Sequence, residues 1–270
     1  MNAGIVDAHV HLWDLSHFGL SWFRDELGLP RAATLDALTD AAAAASRPLS
    51  GTVAVQAADS LAEMRWLRDL AHRDGPVPAV VLQYAPTPGP TAGWAGLADV
   101  VLDERVRGIR VATPGGAADL SDVPDLDRLC EGAGATGRVV ELLVRPAQLD
   151  AVAGIARRHP QTTFALCHLG LGAGTPDVAW EESLARVAAQ PNTAAKFSGL
   201  ATAHRDHRRL GALAAIAVDA FGAARMMFGS DWPMSARLVP YARLIHDIDR
   251  AWGARPDAFW AATATALYGL

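Results

Sequence analysis

The chain has 270 residues, of which 51% are hydrophobic and 20% are charged, and its formal net charge is −5. This composition is typical of a globular protein and excludes a disordered, collagen-like or coiled-coil chain. A chain of this length buries roughly 70–75% of its unfolded surface, so it can form one large core without a metal or a disulfide. Among its 24 cationic side chains only one is a lysine, Lys196.

The cellular setting and the class of partner follow from what the sequence lacks. Two cysteines are too few for a disulfide framework, and the first residues have neither the basic nor the apolar region of a signal peptide, which predicts a cytoplasmic protein. The sequence contains no uninterrupted run of 18 apolar residues, which membrane insertion would need, and no stripe of basic residues, which nucleic-acid binding would need. We therefore expect a small-molecule substrate, and self-association into a homo-oligomer is left open.

Short β-rich runs alternate along the chain with longer segments of helical periodicity, which is the pattern of repeated βα units. Strands are predicted at residues 5–12, 52–57, 78–85, 106–112, 138–144, 162–169, 193–199 and 225–231. Helices are predicted in the gaps, for example at 60–75 and at 147–160, where two arginines, a histidine and a proline mark the end. The Pro- and Gly-rich segment 85–96 directly follows the third strand and is expected to be a loop.

Eight βα units in about 250 residues predict an α/β fold, a (β/α)8 TIM barrel forming a single domain over residues 1–270. In such a barrel the active site lies at the C-terminal ends of the strands, here called the mouth. A doubly wound open sheet is the alternative, but neither a GxGxxG turn nor a GxxxxGK[ST] loop is present.

Four side chains suited to metal binding or acid–base chemistry lie at predicted strand ends. His9 and His11 stand two residues apart on the first strand, so both rings point to the same side. His168 ends the sixth strand, and Asp231 ends the eighth, which neighbours the first in a closed barrel. Three imidazoles and a carboxylate therefore converge, and such nitrogens bind a metal at about 2.0–2.1 Å. Taken singly, Asp231 is more commonly a helix N-cap and His168 more commonly a structural side chain. Only the coincidence of all four at the mouth favours a functional site.

Further polar and aromatic side chains at the mouth are candidates for substrate binding. Gln56 ends the second strand, Arg110 lies near the end of the fourth, and Arg145 follows the fifth. A planar guanidinium suits a carboxylate or a polyol. Trp232 offers a ring face to a sugar, or else it covers the barrel rim.

Five segments together are similar to the amidohydrolase superfamily: VDAHVHLWD at 6–14, GIRV at 108–111, CHLG at 167–170, KFSGLAT at 196–202 and RMMFGSDWPM at 225–234. The nearest branch contains sugar-acid lactonases and 2-pyrone-4,6-dicarboxylate hydrolase. The resemblance implies a hydrolase that opens a lactone or related cyclic ester, with Asp231 as general base. His9, His11 and His168 would then hold one divalent metal, zinc being the first choice, or polarise the carbonyl without any metal. The alternatives are a nonoxidative decarboxylase of the same superfamily and a catalytically silent binding protein.

The single lysine bears on the metal content that the resemblance implies. Members of the superfamily with two metals bridge them through a lysine of the fourth strand, and residues 106–112 contain none. One metal or none is therefore expected. Lys196 on the seventh strand either contacts substrate or pairs with Glu141 on the fifth, because alternate strands contribute to the same interior layer. Cys167 precedes His168, and strand alternation predicts that it faces outward.

Overall fold

The β-branched and apolar runs of the sequence form eight parallel strands in a computed structural model that describes residues 4–58, 60–73, 75–84, 103–203 and 206–270. The strands are β1 (Ile5–Val10), β2 (Leu49–Val55), β3 (Ala79–Gln83), β4 (Val106–Ala112), β5 (Val139–Leu143), β6 (Thr163–Leu166), β7 (Thr193–Phe197) and β8 (Met226–Phe228). Each strand pairs with the next one in chain order. This order is that of a TIM barrel.

The ring closes between β1 and the residues that follow β8. The amide of Asp231 donates to the His9 carbonyl at 2.8 Å, and the amide of His11 donates to the Trp232 carbonyl at 2.7 Å. Val10 and Trp232 form a parallel bridge at the same place. The predicted (β/α)8 barrel is therefore confirmed, and its closure brings the first strand directly beside Asp231.

Helices connect the strands on the outside of the barrel. They are α1 (Leu35–Ala42), α2 (Leu61–Ala71), α3 (Leu126–Ala135), α4 (Leu149–Arg158), α5 (Val178–Ala188), α6 (His207–Phe221), α7 (Tyr241–Trp252) and α8 (Ala262–Tyr268). The helices predicted at 60–75 and 147–160 are α2 and α4, each shorter at both ends. The segment 85–96 lies outside the described residues. Within the described residues, no helix has both the length and the apolar character needed to cross a membrane.

A small apolar cluster fills the inside of the barrel, separate from the larger core between strands and helices. It draws side chains from seven strands, among them Val6, Val53 and Met227, and Tyr268 of α8 joins it. An eight-stranded barrel has an interior just wide enough for such layers of side chains. Any polar group in this layer must therefore find its partners inside the barrel.

Every strand except β4 ends earlier than the sequence pattern predicts, and the difference is largest, three residues, in β6 and β8. β6 stops at Leu166 and β8 at Phe228, because His168 and Asp231 adopt φ values of 53° and 59°, outside the β region. The outward orientation predicted for Cys167 is wrong. Cys167 lies on the same face as Ala165 of the interior cluster, and it is His168, with its positive φ, that departs from the alternation. The Cys167 thiol is fully buried and lies 3.5 Å from a carboxylate oxygen of Glu141 inside the barrel.

Candidate active site

Two histidines, His9 near the end of β1 and His11 directly after it, lie at the mouth. The Nε2 atoms of His9 and His11 lie 3.7 Å and 3.5 Å from Oδ1 of Asp231. The pairing of β1 with β2 shifts register between Asp7 and Val10. Asp7 reaches the Tyr241 hydroxyl of the outer helix α7 at 3.1 Å, whereas His9 faces inward. The irregularity thus lets β1 carry a structural carboxylate outside and the His9 imidazole inside.

Asp231 is held by backbone contacts in an unusual conformation. Its positive φ is tolerated better by aspartate than by most residues, and its side chain is 13% exposed. Gly229, two residues earlier, passes so close to β1 that an added Cβ would lie 2.7 Å from the His9 Cβ. Among the described hydrogen bonds, the Asp231 carboxylate accepts none from a backbone N–H, so the geometry does not show the N-cap alternative.

His168 sits in the turn after β6 and faces the same space. Its ring centroid lies 4.8 Å from that of His9, and its Nδ1 is 2.8 Å from the Ser198 hydroxyl. Gly199 follows with φ 65°, and a Cβ there would lie 2.7 Å from the His168 ring. The Ser-Gly pair after β7 therefore both orients this imidazole and leaves room for it.

The electrostatics of the site separate the imidazoles from the carboxylate. Burial lowers the pKa of His9 well below its usual value, and the Lys196 ammonium lowers it further. Burial also lowers the pKa of His168. Burial raises the pKa of Asp231, but His168 and His11 outweigh it, so this pKa falls below the ordinary carboxyl value. At neutral pH the site therefore combines an ionised carboxylate with neutral His9 and His168.

The donor set fits a single divalent metal in type and spacing. His9, His168 and Asp231 each offer a ligand atom, and these atoms lie within 4.8 Å of one another. The Nε2 atom of His9 is buried without a hydrogen-bond partner in the described part of the chain. Imidazole nitrogen and carboxylate oxygen are ordinary ligands of zinc. The same spacing also suits a carbonyl oxygen approached by imidazole N–H groups.

Gln56 and Arg110 form a buried chain of hydrogen bonds at the ends of β2, β3 and β4. The Gln56 amide donates to the Ser60 carbonyl at 3.1 Å and accepts from the Gln83 amide at 2.8 Å. Arg110 donates to the Gln83 side chain at 3.1 Å and to the Gln56 carbonyl at 2.6 Å. Its charge is among those that lower the pKa of Asp231, so Arg110 lies in the electrostatic field of the site.

Two further substrate candidates, Arg145 and Trp232, follow different strands of the barrel, β5 and β8. Arg145 packs against the loop after β6, where a Cβ on Gly172 would lie 2.4 Å from its Nη1. Trp232 is 5% exposed, and its amide donates to the Ser230 hydroxyl at 3.0 Å. Trp232 therefore belongs to the seam that closes the barrel.

Lys196 lies fully buried beneath His9. Its ammonium contacts Glu141 Oε1 at 2.5 Å and the Ala8 carbonyl at 2.7 Å, and it approaches His9 Nδ1 at 3.5 Å. The Tyr268 hydroxyl donates to the same Glu141 oxygen at 2.5 Å. The Glu141–Lys196 pair expected from alternate-strand layering is thus present, whereas the contact with His9 was not predicted.

Sequence reasoning also missed two residues that support the site. Asp7 accepts hydrogen bonds from the amides of Ser230 at 2.8 Å and His9 at 3.2 Å, which ties β1 to the segment that carries Asp231. Ser198 contacts His168. The available signals were an aspartate two residues before the first histidine and a serine two residues after the only lysine.

The family to which this barrel belongs follows from a match over almost the whole chain. The family model described as Amidohydrolase matches residues 6–270. The chain belongs to the amidohydrolase family. The resemblance to amidohydrolases that the sequence motifs indicated is therefore confirmed.

Individual relatives extend the comparison. An L-fucono-1,5-lactonase of Burkholderia ambifaria is 33% identical over 246 residues, which cover 85% of this chain and 80% of the relative. An L-fucono-1,5-lactonase of Burkholderia multivorans is 29% identical, with 100% and 97% covered. A crystal structure of an amidohydrolase from Burkholderia multivorans with bound zinc superposes with a TM-score of 0.84 at 28% identity, covering 99% of each chain. A second crystal structure with the same description has bound HEPES instead.

Proposed function

We propose that this amidohydrolase opens the lactone of a sugar acid by attack of water, with Asp231 as the general base. The observation that carries the proposal is the Asp231 carboxylate, ionised at neutral pH and held 3.5–3.7 Å from two imidazole nitrogens at the mouth. The two relatives that are L-fucono-1,5-lactonases support the lactone class.

The proposed reaction uses one proton carrier throughout. Asp231 accepts a proton from water as the water oxygen forms a bond to the lactone carbonyl carbon. The carbonyl oxygen gains negative charge, and N–H donors among His9, His11 and His168 stabilise it; one such donor contributes about 3 kcal/mol in known sites. The bond from the carbonyl carbon to the ring oxygen then breaks, and Asp231 returns its proton to the departing alkoxide.

The same residues would hold a divalent ion, with His9, His168 and Asp231 as ligands and His11 beside them. Zinc is our first choice because the amidohydrolase of Burkholderia multivorans has been crystallised with it. When bound, such an ion supplies a Lewis acid for the carbonyl and lowers the pKa of water. Proton transfer in either case remains with Asp231.

The proposal is tested by adding purified enzyme to a panel of sugar-acid lactones, including L-fucono-1,5-lactone, with a pH indicator. We expect acid release in proportion to enzyme, and parallel runs with chelator and with zinc report the role of metal. Hydroxybenzoates with detection of carbon dioxide cover the decarboxylase alternative. Carbon dioxide without acid release would replace the proposal, and no turnover of any compound would favour a binding protein.

A further inference from the structure

The Lys196 ammonium has three N–H donors and no lone pair. Three acceptors surround it: Glu141 Oε1, the Ala8 carbonyl and His9 Nδ1. Glu141 is already shared with Tyr268, and all of these groups are buried. The third ammonium hydrogen therefore has His9 Nδ1 as its acceptor.

The other two histidines of the site meet different partners at Nδ1. The Nδ1 of His11 lies 2.7 Å from the Val55 carbonyl, which only accepts, so His11 carries a proton on Nδ1. The Nδ1 of His168 faces the Ser198 hydroxyl, which either donates or accepts. His9 is thus the histidine of this group whose Nδ1 faces an obligate donor.

We infer that Lys196 holds neutral His9 in the tautomer that carries its proton on Nε2. His9 then points an N–H donor into the mouth, where its buried Nε2 has no hydrogen-bond partner among the described residues. In the lactone hydrolysis proposed above, on which this use of the donor rests, the acceptor is the substrate carbonyl oxygen. Lys196 is a positioning residue, because it acts through His9 and does not itself reach the mouth.

The same contact sets the affinity of the site for metal. Ligation through Nε2 requires its lone pair, and the imidazole proton must then move to Nδ1, directly against the ammonium. Lys196 therefore weakens zinc binding. A lysine suits this position because its compact ammonium matches three acceptors, whereas the planar fork of an arginine, the residue used for all other cations of the chain, does not.

The deciding experiment is a long-range ¹H–¹⁵N NMR spectrum of metal-free enzyme labelled with ¹⁵N at histidine, with His9→Gln and His11→Gln variants for assignment. We expect the proton on Nε2 in His9 and on Nδ1 in His11. A wild-type His9 with its proton on Nδ1 would overturn the inference.

A second readout compares zinc affinity by competition with a chromophoric chelator. The double variant Lys196→Met/Glu141→Gln removes the ammonium and its carboxylate together, so the net charge of the barrel interior does not change. We expect zinc to bind it about 10–100-fold more tightly, and the control Tyr268→Phe, which alters the same network without touching His9, to bind zinc as wild type does. Equal affinity in the double variant and the control would contradict the inference.

Neither readout depends on the substrate, and the NMR readout does not depend on the folding of the double variant. The NMR spectrum of the wild type decides the tautomer even if the double variant does not fold. Failure to hydrolyse any lactone would count against the proposed function, whereas the His9 tautomer and the zinc affinities would still test the role of Lys196.

Discussion

The inside of the barrel and its mouth are a few ångströms apart, yet they treat polar groups in opposite ways. Inside, the buried charges of Glu141 and Lys196 are paired with each other and with Tyr268. At the mouth, the Nε2 of His9 is buried without a partner among the described residues. A buried polar group without a hydrogen bond costs about 1–3 kcal/mol. The paired charges inside the barrel therefore support a mouth in which a buried polar atom lacks a hydrogen bond from the described residues.

Backbone conformation shows the same contrast. Of the five non-glycine residues with positive φ in the described chain, three lie at the mouth: His168, Leu169 and Asp231. Such conformations cost of order 1–3 kcal/mol each and persist where the surrounding structure enforces them. The energetically costly conformations of this barrel are therefore concentrated at the mouth, which is the pattern expected of a catalytic site.

The largest effect on activity is expected when the general base is removed from the mouth. Asp231→Asn should lower kcat/KM by about 10²–10⁴-fold, because a carboxamide cannot accept the proton of water. The variant should keep the fold, because asparagine has nearly the size and shape of aspartate. The matched control is Asp219→Asn on the outer face of α6, which should retain full activity. Activity of Asp231→Asn within tenfold of wild type would remove the general-base assignment.

The next largest effect is expected when the buried charge pair inside the barrel is broken. Lys196→Met should lower the free energy of unfolding by about 3–5 kcal/mol, because Glu141 is left as a buried charge without its cation. The double variant Lys196→Met/Glu141→Gln should lose clearly less, and urea denaturation compares the two. Equal losses would show that the interior is stabilised by packing and not by charge pairing.

Asp7 connects the two regions, and its titration makes the free energy of unfolding depend on pH. Burial raises its pKa from 3.8 to about 6, despite hydrogen bonds from Ser230, His9 and Tyr241. The folded state then binds more protons than the unfolded state between these values, so the unfolding free energy falls as pH rises from about 4 to 6, by roughly 3 kcal/mol in all.

Asp7→Asn should remove that part of the pH dependence, because a carboxamide does not titrate. Urea denaturation at pH 4.5 and pH 7 compares the two proteins. The same change in stability with pH in wild type and variant would show that Asp7 does not titrate in this range.

The smallest effect on activity is expected when the His168 imidazole loses its hydrogen-bond partner Ser198. Ser198→Ala should lower kcat/KM by about tenfold, because partners that orient a site histidine typically contribute 10–100-fold. The loss should appear mainly in kcat. Ser183→Ala, which removes a hydroxyl contact on the outer helix α5, is the control. Unchanged kinetics in Ser198→Ala would mean that packing alone orients His168.

The sequence predicts most of this architecture because barrel strands and their ends have clear local signals. His9, His11 and Asp231 could be brought together from strand alternation and ring closure alone. Cys167 was predicted to face away from His168, but both lie inside the barrel or at its mouth, because positive φ at His168 and Leu169 ends β6, which no residue type there indicates. The periodicity of the run continued past the true end of the strand.

Contacts across the barrel were harder to predict than positions along a strand. Alternate-strand layering predicts the Glu141–Lys196 pair, but the contact between Lys196 and His9 depends on the register shift in β1. Tyr268 joins the pair from the final helix, whose place is not set by the βα repeat. The tautomer of His9 therefore required the three-dimensional structure.

The central claim is that Asp231 activates water and does not itself attack the lactone. The most direct test is a single turnover in H₂¹⁸O, with enzyme in excess over lactone and the product acid analysed by mass spectrometry. The account predicts one ¹⁸O in the carboxyl group of the first-turnover product. A product carboxyl group that lacks ¹⁸O, with the label found instead in Asp231 after turnover, would show a covalent acyl-aspartate and contradict it.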